Sequence, residues 1–208
     1  MRAFLILVLY SLAVVGPPVA TAAPGGPAIL VVGDSLSAGY GLRPGQGWVS
    51  LLEQRLSAQG YEYRVVNASV SGETTGGGLE RLPRALELHR PAIVVLELGA
   101  NDGLRGLPVT ELHANLAAMI RISRDAGARV VLAGIRVPSN YGPRYTEKFF
   151  GVYGELAAEH EVALVPFLLA GIALDETMFQ ADGIHPDAGA QPTLLDNVWP
   201  ALEPLLRR

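Results

Sequence analysis

The feature that most constrains this chain is an alternation. Five short, nearly continuous apolar runs are separated by stretches with helical periodicity. Ile29–Val32, Tyr63–Val66, Ile93–Leu98, Val130–Ile135 and Val162–Val165 read as strands. Trp48–Ala58, Leu79–His89, Glu111–Ala126, Thr146–His160 and Leu194–Leu206 read as helices. Thr110 is the expected N-cap of the third helix and Gly127 its stop, while Pro200 and Pro204 are expected to bend or interrupt the last. Strands without a polar face need cover on both sides, and intervening helices supply it. The expected fold class is therefore α/β with a parallel sheet.

The 208 residues suffice for one domain with a substantial core. Residues 1–22 are expected to lie outside it. Arg2 precedes an apolar run, Ala3–Val15, which Gly16-Pro17-Pro18 ends and Ala20-Thr21-Ala22 follows. That order matches a secretory signal with a small-residue cleavage site, and the run is shorter than the roughly 20 apolar residues that span a bilayer. The expected product is a periplasmic or secreted single domain, residues 23–208, with no stable membrane insertion after signal cleavage, acting as a monomer. There are no cysteines, which excludes disulfides, thiolate metal sites and a cysteine nucleophile. The net charge of −4, with no basic run, argues against nucleic acid as a partner.

In open α/β sheets ligands bind beyond the carboxyl ends of the strands. The first strand runs into Gly33-Asp34-Ser35, the second into Asn67-Ala68-Ser69-Val70-Ser71-Gly72, and the third into Gly99-Ala100-Asn101-Asp102-Gly103. Past the last strand comes Asp182-Gly183-Ile184-His185-Pro186. Alone, each has an ordinary reading. Asp34 and Ser35 suit a helix cap, Asn101–Gly103 suits a turn, and Asp182 with His185 suits a turn or part of a metal site. A metal is not expected, since neither HxH nor HExxH occurs.

Together the four segments supply the parts for acyl transfer. Ser35 needs a base, and His185 is the candidate. Asp182, three residues earlier, can fix the imidazole tautomer. The backbone N–H groups of Ser35 and Gly72, with the Asn101 carboxamide, can receive an oxyanion. Asp34 is expected to hold the turn by hydrogen bonds without entering the chemistry, and Gly33 to permit the turn. His89, His113 and His160 are expected to be structural. No G-x-S-x-G elbow occurs around Ser35.

The blocks "GDSLSAGYG", "VVNASVSGETT", "ELGANDGLRGLP", "IRVPSNYGPRY" and "DGIHP" resemble the SGNH (GDSL) hydrolase superfamily. Within it they are similar to a branch of bacterial periplasmic thioesterases, lysophospholipases and arylesterases. The resemblance runs over nearly the whole chain after the signal. It implies a flavodoxin-like three-layer α/β/α sandwich with a five-stranded parallel sheet. It implies Ser35, Asp182 and His185 as the catalytic triad and Ser35, Gly72 and Asn101 as the oxyanion hole. It implies small-molecule acyl ester or thioester substrates and no cofactor.

Two loops at the same edge offer apolar contact for an acyl chain: Leu104, Leu107 and Pro108 in the first, Val137 and Tyr141 in the second. Two other functions stand beside this one. A carbohydrate acetyl-esterase with the same triad would want aromatic platforms, and only 7% of residues are aromatic. A non-catalytic acyl-binding protein would not need a complete triad. Glu97, in the most apolar strand, requires a hydrogen-bonding partner the sequence does not name, and Trp48 is expected in the core or, alternatively, as a wall of the cleft.

Overall fold

The computed structural model describes residues 26–207. The expected signal segment and its cleavage site lie outside the described residues. The five apolar runs form β1 (Ala28–Gly33), β2 (Arg64–Asn67), β3 (Ile93–Glu97), β4 (Arg129–Ala133) and β5 (Ala163–Val165). All pair in parallel, in the order β2-β1-β3-β4-β5. Every residue of β1 and β3 is buried, whereas the outer strands β2 and β5 are only partly so. That gradient is what a sheet covered on both faces requires of its central strands.

The helices are α1 (Ser35–Ala38), α2 (Trp48–Ala58), α3 (Thr75–His89), α4 (Ala100–Leu104), α5 (Val109–Asp125), α6 (Pro143–Glu159) and α7 (Gln191–Leu202). On one side α2 packs against α7, and on the other α5 packs between α3 and α6. This is the expected three-layer α/β/α arrangement. Trp48 is fully buried at the start of α2, as expected.

Helix boundaries depart from the sequence reading where tertiary contacts override local propensity. The helix expected from Leu79 begins at Thr75 and runs through Gly76–Gly78, poor helix formers. Its first turn is held from another segment: Asp102 accepts the Thr75 N–H at 2.9 Å and the Thr75 hydroxyl. The α5 cap is Pro108 rather than Thr110; the Pro108 carbonyl accepts the N–H of Glu111 at 2.9 Å. In the last helix Pro200 lies within α7 without ending it. The chain changes to a 3-10 turn at Glu203–Leu205, where Pro204 sits.

β1 pairs with β3 so that Gly33 lies opposite Glu97. Glu97 is fully buried and its Oε2 accepts the Ser37 hydroxyl at 2.5 Å, which supplies the expected partner for one oxygen, while Oε1 is buried without one. A Cβ at Gly33 would lie 2.7 Å from the Glu97 carboxyl and 2.8 Å from the Ser37 side chain. Gly33 therefore makes room for this contact, and the turn itself does not demand a glycine. Burial, with the Asp34 carboxyl beside it, holds the Glu97 pKa well above the usual carboxylate range.

The folded chain thus keeps a proton on Glu97 above the ordinary glutamate value of 4.5, where the unfolded chain has released it. Stability then declines as pH rises through that window. Glu97→Gln is expected to leave the melting temperature at pH 7 close to wild type and to flatten the decline with pH. Glu97→Leu, which strands the Ser37 hydroxyl, is expected to cost about 1–3 kcal/mol. Thermal melts of both variants from pH 5 to pH 8 check this; a Glu97→Gln protein as damaged as Glu97→Leu would mean that the buried group is a charged carboxylate.

Candidate active site

The order β2-β1-β3-β4-β5 reverses direction between β1 and β3, and an open α/β sheet leaves a crevice at that point. Ser35 follows β1 as the first residue of α1, and Asn101 follows β3 in the first turn of α4. Asp34, fully buried, caps α1 by accepting the Leu36 N–H at 3.0 Å. Its other carboxylate oxygen accepts Asn101 Nδ2 at 3.2 Å. Burial pushes the Asp34 carboxyl up to about 6, against the Leu36 hydrogen bond that holds it down. Asp34 thus fixes the turn, as its position before the serine suggests.

The segment that follows β5 brings in the imidazole. His185 Nε2 lies 2.9 Å from Ser35 Oγ, and His185 Nδ1 lies 2.7 Å from Asp182 Oδ2. The remaining Asp182 oxygen accepts the backbone N–H of Ile184 at 2.9 Å and of His185 at 3.0 Å. These bonds, with the imidazole contact, hold the Asp182 carboxyl down to about 2, so it is ionised across the neutral range. An ionised carboxylate only accepts, so Nδ1 carries the proton and Nε2 presents its lone pair to the Ser35 hydroxyl.

Gly72 sits in the turn after β2 with φ of +81°, a conformation that a side chain would strain. A Cβ there would meet only Arg105, at 3.9 Å, so the backbone dihedral is the reason for glycine, more than close approach of a ligand. Two donors hold this turn. Arg105 Nη2 donates to the Gly72 carbonyl at 2.8 Å, and Asn101 Nδ2 donates to the Glu73 carbonyl at 2.9 Å. Both amide protons of Asn101 are therefore engaged, one by Glu73 and one by Asp34.

A cleft of about 570 Å³ lies between the two loops singled out from the sequence. Leu107, Pro108 and Tyr141 line it, with Val109 and Tyr145. Ser35, Asp182 and His185 do not line it; its first lining residue, Gly106, follows α4 in the chain. Leu104 is 40% exposed but is not on its wall. Val137 is buried, against the position where a Cβ on Gly103 would stand, so it supports the loop from beneath and offers no surface to a ligand. The Tyr141 hydroxyl donates to the Leu104 carbonyl at 2.7 Å and the Tyr145 hydroxyl to the Leu107 carbonyl at 3.0 Å. The two tyrosines latch one loop to the other.

Sequence reasoning missed Asp102, whose grip on Thr75 sets the entry to α3, and Arg105, which holds Gly72. Both sit beside Asn101 in the motif "GANDGLRG", but only the folded chain shows what they reach. His89 ends α3 and its carbonyl accepts Arg64, while His160 caps α6 and its carbonyl accepts Arg124. Among the described residues no group of three or more His, Asp or Glu is arranged to hold a metal ion, and no helix is long and apolar enough to cross a membrane.

The GDSL-like Lipase/Acylhydrolase family model matches residues 31–191. The esterase TesA of Pseudomonas aeruginosa is 58% identical over 86% of this chain and 89% of its own length. A thioesterase 1/protease 1/lysophospholipase L1 of Escherichia coli is 42% identical over 86% of this chain and 84% of its own. The crystal structure of a psychrotrophic esterase, EstA from a Pseudoalteromonas species, superposes with a TM-score of 0.82 at 40% identity, covering 86% of this chain and 98% of that one. The matched span carries Ser35, Gly72, Asn101, Asp182 and His185 alike, and the chain belongs to the GDSL-like lipase/acylhydrolase family, as an ester-hydrolysing enzyme.

Proposed function

We propose that this protein hydrolyses carboxylic esters and thioesters through an acyl-enzyme on Ser35. The observation that carries the reading is the continuous chain from Asp182 through His185 to Ser35, at 2.7 Å and 2.9 Å. Ser35 Oγ attacks the carbonyl carbon while its proton passes to His185 Nε2. The carbonyl π electrons move onto oxygen, where the N–H groups of Ser35 and Gly72 receive the charge. Asn101 joins them by giving up its bond to Asp34, the longer of its two. Collapse of the adduct breaks the C–O or C–S bond, and Nε2 returns the proton to the leaving group. Water then repeats the sequence on the acyl-enzyme and frees Ser35. Asp182 stays ionised throughout and stabilises the imidazolium.

The substrates are small acyl compounds: aryl esters, thioesters and lysophospholipids. Supporting this are the relatives' names, esterase and thioesterase/lysophospholipase, and the inhibition of the Pseudoalteromonas relative by monoethylphosphonate. The cleft walled by Leu107, Pro108 and Tyr141 is the acyl-chain site, supported by these apolar walls and by its place in the loop that follows Asn101 and α4 in the chain. The enzyme works outside the inner membrane, a reading that rests on the signal-like Ala3–Ala22 segment. It needs no metal or organic cofactor, since the triad and the oxyanion donors together complete the reaction.

Ser35→Ala is expected to lower kcat for p-nitrophenyl esters by at least about a thousandfold, with an unchanged circular dichroism spectrum. Residual turnover near wild type would sink the assignment, and so would a fluorophosphonate probe that labels the alanine variant. Leu107→Ala and Tyr141→Ala are each expected to lower kcat/KM for long acyl chains about tenfold while leaving acetyl esters nearly unaffected. A kinetic panel across chain lengths reads this directly; an unchanged length preference in both variants would remove the cleft from the acyl site.

A further inference from the structure

The Asp182–His185 segment has a weakness. It is a loop, exposed at residues 181–184, with no helix or strand of its own to hold the imidazole in place. Yet only 17% of the His185 side chain is accessible. What covers it is Tyr40, from the motif "GDSLSAGYG", five residues after Ser35. The Tyr40 and His185 rings lie with centroids 4.4 Å apart and planes at 37°. The Tyr40 ring itself is 51% exposed, and among the described residues its hydroxyl makes no hydrogen bond. A large half-exposed aromatic whose one polar group is unused points to a role for the ring face.

The backbone is arranged to aim that ring. Gly39 and Gly41, with φ of +74° and +72°, flank Tyr40 and turn the chain back over the nucleophile. Gln180 then joins the two loops. Its Nε2 donates to the Tyr40 carbonyl at 2.8 Å and to the Pro186 carbonyl at 3.1 Å, and its backbone N–H donates to the His185 carbonyl at 2.8 Å. A Cβ on Gly41 would stand 2.0 Å from Gln180 Oε1, so this close join requires glycine there. One carboxamide thus ties the loop carrying the ring to the loop carrying the imidazole.

We infer that Tyr40 is a positioning residue for His185: its ring backs the imidazole so that Nε2 stays aligned with Ser35, and its π face accommodates the imidazolium that forms during acylation. The inference rests on the proposed roles of Ser35 and His185. Asp182 fixes the imidazole from its Nδ1 side, through one bond about which the ring is free to swing. Tyr40 blocks that swing and excludes water from one ring face, where a cation is attracted to an aromatic. The hydroxyl contributes nothing, so phenylalanine serves equally well.

The test compares Tyr40→Ala, Tyr40→Leu and Tyr40→Phe with wild type on a short aryl ester, in preparations whose Ser35 has been shown to take a fluorophosphonate label. Tyr40→Ala is expected to lower kcat by about ten- to a hundredfold with KM within about twofold, as small misplacements of a catalytic group do. The rate of phosphonate labelling is expected to fall in parallel, and Tyr40→Phe is expected to match wild type. Tyr40→Leu keeps apolar bulk should the alanine variant fold poorly, and is expected to recover only part of the loss. The four histidines make the imidazole C–H resonances countable by NMR. The His185 signals, shifted upfield by the adjacent ring, are expected to return toward ordinary positions in Tyr40→Ala and Tyr40→Leu but not in Tyr40→Phe. Tyr40→Ala or Tyr40→Leu turnover within twofold of wild type, a loss carried by KM alone, or a Tyr40→Phe variant as slow as alanine would each overturn the inference. Because the NMR signature reports the ring contact without any turnover, it separates failure of this inference from failure of the proposed mechanism.

Discussion

The site depends on the pairing of β1 with β3. Their register sets Gly33 opposite Glu97, so the two strands end together and their following residues enter the same crevice. From there Asp34 reaches Asn101 at 3.2 Å, and Asn101 reaches the turn that carries Gly72. Three segments distant in sequence are thereby fixed to one another by a handful of hydrogen bonds. A slip of one residue in this parallel pair would take Glu97 away from Gly33 and turn its side chain to the other face, which would dissolve that arrangement.

Holding the site costs buried polar groups. Asp34, Glu97 and Asp102 are all buried at or below the turn, and Asp34 raises the Glu97 pKa further by its proximity. Such a cluster is expensive in an apolar layer unless each member has a partner. Asp34 has the Leu36 N–H and Asn101, Glu97 has Ser37, and Asp102 has Thr75. Each of these bonds also fixes a loop or a helix start. The acids stabilise a unique arrangement of the backbone, while the proposed chemistry is left to Ser35, His185 and Asp182, which sit nearer the solvent.

The two halves of the proposed triad are supported differently. Ser35 stands on a strand end and a helix cap in the middle of the sheet. His185 stands on a loop, held near the imidazole by Asp182, Gln180 and Tyr40 and just beyond it by the Phe179–Pro186 bridge and Gln191. In the proposed mechanism, a rigid nucleophile facing a base on a less anchored segment makes the position of the base the more sensitive variable. On that mechanism, the Tyr40 contact to the imidazole matters more than similar contacts around the serine.

The sequence by itself determined the five strands, their parallel pairing and the groups assembled for the reaction. Continuous apolar runs alternating with helical stretches indicate a parallel sheet covered by helices, and the order of the blocks puts each polar group at one edge. Glycine positions were legible as glycines, but not their reasons: Gly33 yields to Glu97 and Ser37, Gly72 to its own backbone dihedral, and Gly41 to Gln180. The early start of α3 at Thr75 was hidden for the same cause, since three glycines mask it and the group that stabilises it, Asp102, arrives from another segment. Val137 read as a wall of the cleft and proved to lie beneath it. Partners of this kind lie 27 to 140 residues apart in the chain, and local propensity carries no information about contacts that form only when the sheet closes. Which residues carry polar or apolar chemistry is a property of the chain; which face one another, and so whether Glu97 meets Ser37 or Tyr40 covers an imidazole, is decided by packing.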